Sequence, residues 1–143
     1  YVVNVDVAST TSCAFTPSDG STLDFGSISA GGADSNTAPT VLVENDGSAN
    51  VDITATPHAN IATFIGGSGT SMEVTMSGNK AANLFGTAGG TNMTLGSGNV
   101  VAENLTAVDS VDDATLTLVL EAGSSPTAGN DQTQASGLIV ACS

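Results

Sequence analysis

Val41-Leu42-Val43-Glu44-Asn45-Asp46-Gly47-Ser48-Ala49-Asn50-Val51-Asp52-Ile53-Thr54-Ala55 decides the fold class. Val41 and Val43 alternate with Leu42 and Glu44, and Val51, Ile53 and Ala55 alternate with Asp52 and Thr54. A period of two, enriched in β-branched residues, is the pattern of a strand that buries one face. Asn45-Asp46-Gly47-Ser48 between the runs carries the turn chemistry of a hairpin.

The same period recurs on both sides of this stretch. Tyr1, Val3, Val5 and Val7 share one face, as do Met72, Val74 and Met76, and Leu116, Leu118 and Leu120; Leu23 and Phe25 make a shorter run. Leu138 to Cys142 is apolar on both faces, as for a strand inside a sandwich. Polar or Gly-rich breaks separate the runs at Ser18-Asp19-Gly20-Ser21, Gly31-Gly32, Gly66-Gly67-Ser68-Gly69, Gly89-Gly90 and Ala128-Gly129-Asn130-Asp131. Residues Asn79 to Phe85 have room for one helical turn, and Gly78 to Asn104 is weakly patterned, which predicts long loops or short edge strands. The expectation is an all-β chain: an immunoglobulin-like antiparallel β-sandwich of about seven strands, with an N-terminal strand and hinge at 1–12 and one domain at 13–143.

Composition narrows the function. Half of the 143 residues are Ala, Thr, Ser or Gly, and 14 carboxylates face a single base, Lys80, for a formal charge of −13. A nucleic-acid binder needs a cationic footprint, which one lysine cannot supply. The same charge disfavours docking on anionic lipid, and no run reaches the ~18 apolar residues of a membrane helix. Patterned runs within a 40% hydrophobic chain argue against general disorder. The chain begins at Tyr1 rather than Met, as a processed mature chain would.

Cys13 and Cys142 stand at opposite ends of the sequence. First and last strands of a sandwich often face each other, so the two are expected to form a disulfide, which places the protein in an oxidising, extracellular compartment. Two unrelated buried thiols are the alternative. His58 is the only histidine, no Gly-x-Ser-x-Gly elbow accompanies it, and neither it nor the cysteines have zinc spacing, so no enzyme chemistry is expected. Asp109, Asp112 and Asp113 are the weak calcium candidate; their spacing is not that of an EF-hand, and no other cofactor is implied. Asn92-Met93-Thr94 and Asn104-Leu105-Thr106 are sequons and hence candidate glycosylation sites.

The segment Tyr1 to Val7 admits two placements. It pairs in its own sheet, or it leaves its domain and fills a groove in the next subunit, with Ala8 to Ser12 as a small, polar hinge. In the second case ladder bonds supply affinity, alternate side chains enter pockets, and the open-ended contact propagates a filament.

Several motifs resemble a family. Val3-Asn4-Val5-Asp6-Val7 with Cys13, followed by Leu23-Asp24-Phe25-Gly26-Ser27, resembles the start of spore coat protein U-like domains, which include the archaic chaperone–usher pilins. Val41 to Ser48 followed by Val51-Asp52-Ile53 is similar to the second hairpin of archaeal and bacterial surface β-sandwiches, and Pro126-Thr127-Ala128-Gly129 is similar to the last hairpin of pilin-like domains. In those pilins the second cysteine lies in an early strand, near the place of Val43, whereas here it is Cys142. The resemblance implies a distant relative: an extracellular filament subunit whose copies join by donor strands, here Tyr1, Val3, Val5 and Val7. The expected partners are copies of the chain itself, with no nucleic acid and no membrane span. The rival expectation is a monomeric cell-surface adhesin with an Ig-like fold and a host or surface ligand.

Overall fold

The alternating runs become strands in a computed structural model that describes residues 8–29, 34–61, 69–78, 83–84, 90–108, 110–124 and 137–143. Nine strands lie among these residues: β1 (Cys13–Thr16), β2 (Thr40–Asn45), β3 (Val51–Pro57), β4 (Ser71–Gly78), β5 (Asn83–Leu84), β6 (Thr91–Met93), β7 (Asn99–Leu105), β8 (Asp113–Glu121) and β9 (Leu138–Cys142). They form two antiparallel sheets, ordered β1-β2-β8-β4-β6 and β5-β7-β3-β9, and so make the expected all-β sandwich. Only β1 and β2 are both consecutive and paired; each later connection passes to the other sheet. Interleaving β2-β8-β4-β6 with β3-β7-β5 is a jelly-roll order, which refines the immunoglobulin-like expectation in its connectivity.

The stretch 41–55 therefore forms two strands but no hairpin, because β2 and β3 lie in different sheets. The side chain of Asn45, 1% exposed, organises the crossing. Its Nδ2 donates to the carbonyls of Ala49 and Leu105, and its Oδ1 accepts from Gly47 N–H. The bond to Leu105 reaches the opposite sheet, which a two-residue hairpin turn would not provide. The local turn chemistry was legible; the partner sheet was not.

The core follows the alternation. Val41 and Val43, Val51, Ile53 and Ala55, Met72, Val74 and Met76, and Ala114, Leu116, Leu118 and Leu120 are all buried between the sheets. β8 sits at the centre of its sheet, paired with β2 and with β4 over eight residue pairs. Every buried side-chain nitrogen and oxygen among the described residues has a hydrogen-bond partner, as a core this light in apolar bulk requires.

Two strands differ from expectation. β7 falls in the weakly patterned stretch yet is central, paired with both β5 and β3. Its register against β3 slips between Val51↔Leu105 and Ile53↔Ala102, so β7 bulges at Glu103 and Asn104, and Asn104 takes φ 58°. A second slip, between Ile53↔Ala102 and Thr54↔Val100, leaves Val101 as an extra residue, so the neighbours Val101 and Ala102 are both in the core and the period of two is erased. Of the Asn79–Phe85 stretch, expected to hold at most a helical turn, the described residues Asn83–Leu84 form β5, and the remainder lies outside the described residues. Among the described residues β9, expected inside the sandwich, is an edge strand: it pairs with β3 on one side only, and Ile139 is 55% exposed.

Candidate functional site

β1 and β9 are the edge strands of the two sheets on the same side of the sandwich, and Cys13 and Cys142 join them by a disulfide. The expected pairing is thus present. Its position matters more than its existence, because it closes only one end of that side. Beyond it an open cleft runs between the two edges, lined by Phe15, Leu23, Val41, Leu138 and Val140, with residues 17–21 at its far end. Phe15, Leu23, Leu138 and Val140 pack on the core but remain partly exposed. Among the described residues no strand covers this cleft.

The ladder geometry of β9 can be assigned. Asp52 and Ser143 exchange backbone hydrogen bonds in both directions, at 2.9 and 3.1 Å. In an antiparallel pair these exchanges alternate. Ala141 and Ile139 therefore bond β3, while Cys142, Val140 and Leu138 direct N–H and C=O away from it. The same three residues turn their side chains toward the core. By the same alternation, set by Asn45 N–H donating to Asp112 C=O, Cys13 and Phe15 point their backbone groups away from β2. Unpaired backbone groups along an edge are a template for another strand.

At the disulfide end, residues 8–12 lie across the β2–β3 crossing. Thr10 N–H donates to Ser48 Oγ, and Ser48 and Ala49 N–H both donate to Thr10 C=O. A Cβ on Gly47 would collide with Thr10 C=O and Ser12 N. Gly47→Ala is therefore expected to push residues 8–12 off the crossing while the sheets persist. The expected cost is about 1–2 kcal/mol, read as a lower thermal midpoint with unchanged far-UV circular dichroism.

The other sequence candidates are dispersed. Tyr1, Val3, Val5 and Val7 lie outside the described residues, as do Lys80 and Asp109. Asp112 lends its backbone carbonyl to Asn45, and Asp113 opens β8. Among the described residues no three His, Cys, Asp or Glu side chains cluster as a metal site. Asn92 is exposed on β6, the edge on the opposite side; Asn104 is exposed at the β7 bulge, its N–H donating to Asp52 Oδ1. His58 ends β3: its N–H donates to Gly137 C=O, and its Nδ1 accepts from Asn60 N–H. The histidine thus fixes a turn.

A second cleft, lined by Val74, Thr91, Asn92, Met93, Asn99, Val100 and Val101, lies on the opposite side. Its amide Asn99 is spent internally, donating to the carbonyls of Ala55, Thr94 and Ser97. The β1/β9 cleft combines apolar walls with outward ladder groups and is the stronger candidate. Sequence reasoning missed it, because which strands form the edges emerges only from the sheet order.

Comparison with protein-family models, curated proteins and solved structures finds no match. The disulfide is characteristic of an oxidising compartment. No helix among the described residues is long and apolar enough to cross a membrane.

Proposed function

We propose that this chain is the structural subunit of an extracellular pilus-like homopolymer, in which residues 1–7 of one copy enter the β1/β9 cleft of the next. One match carries the proposal: a segment with apolar residues at every second position, and a cleft whose edge strand offers apolar walls and outward-pointing ladder groups at every second position. Because the donating segment and the receiving cleft are different surfaces, the contact does not close, and repetition gives a filament. The resemblance to spore coat protein U-like pilins points the same way. So does the backbone engagement of His58, which favours a structural role over a catalytic one.

The magnitudes fit a contact that needs both kinds of interaction. Burying three valines and a tyrosine contributes about 6 kcal/mol, whereas association costs about 4–15 kcal/mol in lost freedom. Side-chain burial is of the same order as that cost, and the backbone ladder adds to it.

The test is deletion of residues 1–8. The full chain should assemble into polymers visible by negative-stain microscopy, and the deleted chain should remain monomeric by light scattering while keeping its β-sheet circular dichroism. A full chain that stays a monodisperse monomer, or a deleted chain that still polymerises, would sink the proposal.

A further inference from the structure

We propose that Asp19-Gly20, at the far end of the β1/β9 cleft, is a site of spontaneous isoaspartate formation, and that the fold withholds the same chemistry from Asp46-Gly47. The proposal is independent of the filament reading.

The sequence holds two Asp-Gly steps, and both continue into serine: Asp19-Gly20-Ser21 and Asp46-Gly47-Ser48. Glycine after aspartate leaves the next amide nitrogen unshielded by a Cβ and the backbone free to turn. That nitrogen can then attack the aspartate's own Cγ. The two steps are chemically near-equivalent as sequence, and the structure separates them.

Asp19 and Gly20 are the central residues of an exposed β-turn, which Ser21 N–H closes on Ser18 C=O at 3.1 Å. Gly20 takes φ 83°, the value of the third position of a type II turn. Its N–H donates to Asp19 Oδ1 at 3.0 Å, so the attacking nitrogen already lies against the carboxyl it would attack. Beyond its chain neighbours, a Cβ on Gly20 would meet nothing within 4 Å, so no packing among the described residues resists ring closure. Exposed turns with few contacts also open at the lowest local cost.

At the second step Gly47 N–H donates elsewhere, to Asn45 Oδ1 at 3.0 Å. Asn45 is 1% exposed and is itself tied to the carbonyls of Ala49 and Leu105. Thr10 C=O and Ser12 N lie against Gly47, and Ser48 and Ala49 N–H both bond Thr10 C=O. To reach Asp46 Cγ, the Gly47 nitrogen must leave Asn45 and disturb the whole β2–β3 crossing.

The reaction needs only water. With the carboxyl protonated, Gly20 N bonds to Asp19 Cγ; the amide proton and the carboxyl hydroxyl leave as water, and a succinimide closes. A second water then adds to a ring carbonyl. Addition at the α-carbonyl breaks its bond to Gly20 N, so the chain now runs through Cβ and Cγ and the α-carboxylate is free. The product is an isomer with one more main-chain atom in residues 17–21, which line the end of the cleft.

The test holds the full oxidised protein folded in mildly acidic buffer for weeks, then maps its peptides by electron-transfer fragmentation, which distinguishes isoaspartate from aspartate. Isoaspartate should accumulate at residue 19 at least tenfold faster than at residue 46. In the reduced chain unfolded in urea, the two rates should agree within twofold. Asn45→Ala, which releases Gly47 N–H, should raise the rate at residue 46 at least threefold and leave residue 19 as in the parent. Equal rates in the folded parent, or a faster rate at residue 46, would overturn the proposal. So would the folded ratio persisting in urea, because the difference would then lie in the sequence and not in the fold.

Discussion

Replacing Cys13 and Cys142 together by serine is expected to lower the unfolding free energy by about 5 kcal/mol, the chain-entropy value for a closed loop of this size. The crosslink spans a sequence separation of 129 and ties the edge of one sheet to the edge of the other. A typical domain is stable by only about 5–15 kcal/mol. Here the core is Val, Leu, Ile, Met and Ala, with no Trp, so the crosslink supplies a large share of the total. The measurement is the urea midpoint of the double variant against the oxidised parent. A loss below 1 kcal/mol would mean that the ladders and core hold the sandwich unaided.

Asn45→Asp is the second large effect. The substitution keeps size and shape but replaces an amide donor with an acceptor. The donor serves the carbonyls of Ala49 and Leu105, and the site is buried. At neutral pH a charged carboxylate would face two carbonyl oxygens without a counter-charge, a situation that costs about 3–5 kcal/mol. Burial and the facing carbonyls disfavour the charged form, so the carboxyl in the folded variant titrates above its unfolded value. The variant is then most stable, relative to the parent, below the unfolded pKa, and loses stability as pH rises through the folded pKa. Asn45→Ala, which removes the bonds without adding charge, should cost less at pH 7 and show no such added pH dependence. Denaturant midpoints at acid and neutral pH distinguish the two variants.

Most of the strands were legible because each is amphipathic on its own: Met72, Val74 and Met76, or Leu116, Leu118 and Leu120, need no partner to declare a face. What a strand pairs with was not legible. Asn45-Asp46-Gly47-Ser48 has hairpin chemistry, yet Asn45 uses its amide to reach Leu105 in the opposite sheet. β7 was hidden because two register slips against β3 interrupt its alternation, the one at Val101 bringing Val101 and Ala102 to the same side. The run Leu138–Cys142 is apolar on both faces, the pattern of a strand covered on both faces, yet Ile139 is exposed on the outer face. The cysteines were paired correctly from their positions, whereas the cleft beside them emerged only from the sheet order.

Composition acquires a physical role in this arrangement. Small residues suit a thin sandwich held by ladders and one long-loop crosslink. In the proposed filament, a charge of −13 would constrain how copies pack beside one another. With Lys80 the sole basic residue apart from His58, trypsin has one site, which would suit the proposed fibre.

The central claim is that each copy carries one donor segment and one separate acceptor cleft. Two complementary defects test it directly. The chain lacking residues 1–8 keeps an acceptor but no donor, and full-length Val140→Pro, which loses an outward-pointing N–H from the cleft wall, keeps a donor but no acceptor. Mixed in equal amounts and weighed by light scattering, the two should form a 1:1 heterodimer and nothing larger, while each alone stays monomeric. Two monomers that ignore each other, or a mixture that grows into long polymers, would contradict the account.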